Sequence, residues 1–81
     1  MNAENLYLAR LGERVRGWRT GHGMTRKQLA AASGVSERYL AQLESGQGNM
    51  SVLLLRKVAR AMRVPVERLV PEDVPWPRAA R

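Results

Sequence analysis

Thr25-Arg26-Lys27-Gln28-Leu29-Ala30-Ala31-Ala32-Ser33-Gly34-Val35-Ser36 is the stretch on which the fold turns. Thr25 followed three residues later by Gln28 has the form of a capping box: the Thr hydroxyl accepts from the third helical amide while the Gln side chain reaches back to the Thr amide. The box predicts a short helix from Arg26 to Ser33, with Leu29, Ala30 and Ala32 inward and alanines small enough to let another helix come close. Gly34 can take the positive φ that ends a helix in a sharp turn, and Ser36 then supplies the N-cap of the next. Two short helices joined by a tight turn follow from these twelve residues.

Outward from there, a helix over Ser36–Ser45 turns Leu40 and Leu43 inward above Val35 and leaves Glu37, Arg38, Ala41, Gln42 and Ser45 on the other face, with Gly46 stopping it. Toward the N-terminus, Leu8, Leu11, Val15 and Trp18 recur at three- and four-residue spacing, which predicts a helix from Asn5 to Thr20 ended by Gly21-His22-Gly23. Gly12 and Gly17 weaken it by roughly 1 kcal/mol each relative to Ala, so its stripe has to be buried. Trp18 and Met24 are read as core. Toward the C-terminus, Gly46-Gln47-Gly48-Asn49 is a loop, and Ser51 caps a fourth helix whose stripe is Val52, Leu55, Val58, Ala59 and Met62 before Pro65 breaks it. A short last helix, Val66–Val70, closes the core with Val66 and Leu69, and Pro71, Pro75 and Pro77 rule out further regular structure. The expectation is all-α: a compact five-helix domain over residues 1–70 and a Pro-rich tail or start of a linker over 71–81.

Composition narrows the function. The 81 residues carry 14 Lys plus Arg against 7 Asp plus Glu, a net charge of +7, and all the cations except Lys27 and Lys57 are arginine, whose rigid fork suits phosphate and guanine. A polyanionic partner is favoured, although charge alone does not separate nucleic acid from an anionic membrane or an acidic protein. With no Cys and one His, disulfides and zinc-ligand sets are excluded. No run of 18 apolar residues and no basic segment followed by an apolar one at the N-terminus is present, so a cytoplasmic location is expected. One His in a Gly-rich turn, scattered carboxylates and no phosphate loop offer no triad, dyad or metal site, so an enzyme is not expected and neither is a cofactor.

The run Met24–Ser36, followed by Tyr39-Leu-Ala-Gln-Leu-Glu-Ser-Gly46, resembles the Cro and phage-repressor type (XRE family) helix-turn-helix domains over about residues 8–70. Thr-x-x-x-Leu-Ala, Gly-Val-Ser and Glu-x-Gly stand at the family's separations. The resemblance implies a lambda-repressor-like fold and a bacterial transcriptional regulator, a repressor, that binds double-stranded DNA with its third helix in the major groove. It also implies a homodimer on a palindromic operator, nucleoid-associated when bound and independent of membranes. Ser36–Asn49 together with Leu54-Leu-Arg-Lys57 is similar, more narrowly, to the N-terminal domain of benzoyl-CoA-responsive repressors of aromatic catabolism. Those carry an effector domain after a linker, so that likeness implies a C-terminal effector domain absent from this chain.

Carried over by motif position, Arg38 would reach O6 and N7 of a guanine and Gln42, one turn on, N6 and N7 of an adenine. Glu37 either accepts from a cytosine amino group or simply suits the positive end of the helix dipole. Ala41 permits close approach. Phosphate contacts are expected from Ser36 and Tyr39, unless Tyr39 covers the first helix instead, and from Arg26, Lys27, Gln47 and Asn49. The family pattern pairs Glu44 with an arginine late in the first helix, here Arg19, as architecture. Leu53 and Leu54 do not both fit the buried stripe of the fourth helix, which marks them as a surface for a second subunit or for the effector domain. The alternative to DNA binding is a protein-interaction module, such as an antitoxin or adaptor built on the same fold.

Overall fold

Among the described residues, each α-helix begins on a polar side chain that takes up a free backbone N–H, and this is what divides the chain into elements. The computed structural model describes residues 2–47 and 51–72. Asn2 accepts from the Asn5 amide and starts α1, Ala3–Gly21. Thr25 and Gln28 form the expected capping box, with reciprocal bonds of 3.0 and 2.8 Å, at the start of α2, Arg26–Ser33. Gly34, at φ 73°, ends α2 in the left-handed conformation, which glycine adopts without a Cβ penalty. Ser36 then caps α3, Glu37–Glu44, and Ser51 caps α4, Val52–Ala61.

Four α-helices, not five, make up the described residues. The expected last helix is a single 3-10 turn, Val66–Arg68. Its bonds run from Arg68 N–H to the Pro65 carbonyl and from Leu69 N–H to the Val66 carbonyl, a three-residue reach that Pro65 cannot extend backward because it has no N–H to donate. The turn still does the work expected of a fifth helix, since Leu69 is fully buried. Pro75, Pro77 and Asn49 lie outside the described residues.

α1 packs on α3, α2 on both α3 and α4, and the 3-10 turn on α4. Leu11, Val15, Leu29, Val35, Leu40, Leu43, Leu55, Val58, Ala59, Met62, Val64 and Leu69 form the core between them, with Met24, Tyr39, Leu54 and Val66 packed against it. Three expectations fail here. Trp18 is exposed, because the stripe of α1 continues from Val15 to Arg19, four residues on. Ala32 is exposed, because Ser33 holds the equivalent place after Leu29. Val52 is 71% exposed, as the first residue of α4 and beyond the edge of the core.

Gly12 has a role its helix propensity conceals. It faces the end of α3 so closely that a Cβ there would lie 2.5 Å from the Leu43 carbonyl oxygen and 2.6 Å from that of Glu44, whereas a Cβ on Gly17 would meet nothing within 4 Å. Opposite effects follow from the same substitution. Gly12→Ala is expected to destabilise the domain by about 1 to 3 kcal/mol, since helix backbone must move, and Gly17→Ala to stabilise it by up to about 1 kcal/mol; urea unfolding of the two variants checks both signs.

Candidate nucleic-acid interface

Amphipathicity decides which side of α3 is free. Leu40 and Leu43 are buried, and the opposite face presents Glu37, Arg38 and Gln42 to solvent with Ala41 half-buried between them. The four residues expected to read bases are thus brought onto a single face, and Ala41 is small enough to let that face come close to a flat surface. Ser36 is exposed and its oxygen already accepts from the Tyr39 amide at 3.0 Å, which leaves its hydroxyl proton to donate outward. Tyr39 is half-buried and packs on the core.

The start of α2 lies beside the start of α3. Arg19, Thr25, Arg26, Lys27 and Glu37 share the walls of a shallow cleft of about 490 Å³, so the two expected phosphate cations and one expected base-reading residue meet at one place. Arg26 and Lys27 are exposed there, where cations oppose the helix dipole unless an anion faces them. Gln47 is exposed beyond α3, and its amide donates to the Gln42 carbonyl at 2.9 Å.

Behind this surface sits Glu44, whose side chain is 2% exposed. Its Oε2 accepts from Arg19 Nε at 2.6 Å and its Oε1 from Arg19 Nη2 at 3.0 Å, so the two residues the family pattern pairs meet here through two bonds. Arg19 Nη1 donates to the Met24 carbonyl at 2.8 Å, so that the end of α1 also holds the residue before the cap of α2. The hydrogen bond to Glu44 raises the Arg19 pKa above the usual arginine value, against a lowering by burial, and the carboxylate's charge adds to the rise. With a raised folded value, this stabilisation is fully present below the ordinary arginine pKa and lost only above it, so Arg19 introduces no pH dependence near neutrality.

One contact was not anticipated. Arg26 Nε donates to Glu44 Oε1 at 3.2 Å, so the carboxylate serves two arginines from two helices. No spacing rule finds this pair, since its partners stand 18 residues apart and meet only because α2 and α3 close on each other. Of the two leucines marked on α4, Leu53 is 64% exposed while Leu54 packs on the core, and the exposed neighbour is Val52 instead. Among the described residues, no helix is long and apolar enough to cross a membrane.

The helix-turn-helix family HTH_3 matches residues 15–69, a span that takes in α2, the Gly34 turn, α3 and α4. The chain belongs to this family. It is therefore a DNA-binding transcription regulator of the Cro and phage-repressor type, and its relatives are regulators rather than enzymes. An uncharacterized HTH-type transcriptional regulator of Sinorhizobium fredii, y4dJ, is 40% identical over 52 residues, covering 63% of this chain and 68% of its own. The restriction-modification controller protein C.AhdI from Aeromonas hydrophila is similar in structure, with a TM-score of 0.74 at 34% identity over 76% of this chain and 94% of that one. SinR, the master regulator for biofilm formation, solved in complex with DNA, matches with a TM-score of 0.68 at 33% identity over 73% of this chain and 95% of its own.

For the helix-turn-helix unit itself the ion pairs predict a graded response. Glu44→Gln strands Arg19 in a nearly closed site and is expected to cost about 3 to 5 kcal/mol. Arg26→Ala removes a half-exposed partner and is expected to cost no more than about 1 kcal/mol. Thermal unfolding followed by circular dichroism separates them, and equal losses would contradict the geometry described.

Proposed function

We propose that this chain is the DNA-binding part of a sequence-specific repressor that sits on a palindromic operator as a homodimer, with α3 in the major groove. One observation carries the reading: the exposed polar face of α3, with Glu37, Arg38 and Gln42 in line, adjoins a cationic cleft at the start of α2. Bases and backbone are then met by neighbouring residues. Arg38 pairs with guanine, Gln42 with adenine and Glu37 with a cytosine amino group, while Ala41 allows the approach. Arg26, Lys27, Ser36 and Gln47 meet phosphates, with Tyr39 at the edge of that set and Asn49 its expected extension. Two copies on half-sites roughly one helical turn apart match the geometry of such domains, and the exposed Val52 and Leu53 supply an apolar surface to join them.

The likeness of Ser36–Asn49 and Leu54–Lys57 to benzoyl-CoA-responsive repressors extends the proposal to aromatic catabolism. In that reading, residues 1–70 are the operator-binding unit of a cytoplasmic bacterial regulator, residues 71–81 begin a linker, and the effector is bound by a domain beyond it. A second reading, a protein-interaction module, is favoured by a groove of about 650 Å³ between α4 and the 3-10 turn. Its walls include apolar Leu53, Val64 and Val66 with Arg56, Lys57 and Arg60.

Selection from a library of random duplexes at about 150 mM salt tests the proposal. A palindromic motif is expected to enrich, and Arg38→Ala or Gln42→Ala each to lose about 1 to 3 kcal/mol of discrimination at one position of each half-site. A folded domain that enriches no motif, or variants that enrich the native one, would contradict base reading by α3.

A further inference from the structure

We propose that Glu44 is a positioning residue for DNA: it grips Arg26 by Nε alone, so that the remaining Nη edge of the guanidinium faces a backbone phosphate. The inference rests on the reading above that the cleft at the start of α2 meets the DNA backbone.

The two arginines use the shared carboxylate differently. Arg19 is used up, with Nε and Nη2 on Glu44 and Nη1 on the Met24 carbonyl, and its side chain is 10% exposed. Arg26 gives Glu44 only its Nε, and its side chain is 43% exposed. Among the described residues Glu44 is the one partner recorded for the Arg26 side chain. The two Nη groups are therefore left as donors on this half-exposed side chain. A guanidinium is planar, so anchoring Nε fixes the direction of that outer edge, and paired N–H donors fit two phosphate oxygens at once.

Glu44 can afford this because a carboxylate has two oxygens and about four acceptor directions, of which the three arginine contacts occupy three. It is also buried on α3 and held by two bonds from Arg19. The cation at the first position of α2 is unfavourable by the helix dipole, and the bond to Glu44 offsets that in the free protein. Order imposed before binding does not have to be imposed during it. Lysine would not replace Arg26, because a single ammonium cannot both occupy Glu44 and offer a separate fork.

Affinity for the selected operator and for an unrelated duplex, measured across a range of salt concentrations, tests the claim. Arg26→Ala is expected to reduce the salt slope by about 0.9, one phosphate contact, and to weaken operator and unrelated duplex alike. Arg26→Lys is expected to keep the slope and still lose affinity by roughly fivefold or more. Because Glu44 variants can fail to fold, the clamp itself is read on the native protein, from the NMR signal of the Arg26 Nε–H. That proton is expected to be slow in exchange in the free protein and to remain so on titration with duplex, while the Nη signals shift. An Arg26→Lys variant that binds as the native protein does, an unchanged slope in Arg26→Ala, or an Nε–H that becomes exchange-labile on binding would each overturn the proposal while leaving DNA binding intact. A folded native domain that binds no duplex would overturn both.

Discussion

A single carboxylate ties three helices together. Glu44, at the last position of α3, receives Arg19 from α1 and Arg26 from α2, and Arg19 continues to the Met24 carbonyl. The Met24 amide returns a bond to the Arg19 carbonyl at 3.1 Å, so the α1–α2 connection is closed from both sides. A buried ion pair adds little net stability over a well-packed apolar pair. Removing one partner is costly instead, because it leaves the other charge buried and unpaired. Gly12 belongs to the same constraint: the carbonyl of Glu44 lies where a Cβ on α1 would be, so the backbones of α1 and α3 can come close enough for the side chains to meet.

From this anchor the interface follows. α3 is too short to be stable alone, and its position depends on Leu40 and Leu43 in the core and on Glu44 at its end. Those three inward residues leave Glu37, Arg38 and Gln42 on the outer face. Ser36 fixes where α3 starts and Gly34 the angle at which it leaves α2. The proposed base-reading and phosphate-binding residues are thus rigidly spaced by contacts made on the far side of the helix, and both sets depend on Glu44.

Much of this was legible in the residues. Caps are local, and Thr25, Gln28, Gly34, Ser36 and Ser51 act at the offsets their chemistry requires. The Arg19–Glu44 pair came from the family pattern and not from spacing. The failures have a common physical origin. Choosing inward positions by hydrophobicity selected Trp18 and Ala32, yet the helices turn Arg19 and Ser33 inward, each four residues beyond a buried neighbour. A polar residue occupying a core position is invisible to a hydrophobic stripe until its partner is known. Val52 continued the stripe of α4 at the proper spacing, but the core ends before the first turn of that helix. The apolar residues Val66 and Leu69 suggest a last helix, but the stretch after Pro65 forms only one tight turn. The residues mark Arg26 as a surface cation and do not disclose its bond to Glu44, because that bond exists only once α2 and α3 have packed.

The most direct test of the account is a titration of the isotopically labelled domain with a duplex carrying the selected operator, following backbone amide shifts. The largest changes are expected on residues 25–27 and 36–42, with the Gln42 side-chain amide among them, while the amides of α4 and the 3-10 turn move little. Changes centred on Leu53, Arg56, Arg60 and Val66 instead, with α3 unaffected, would contradict it.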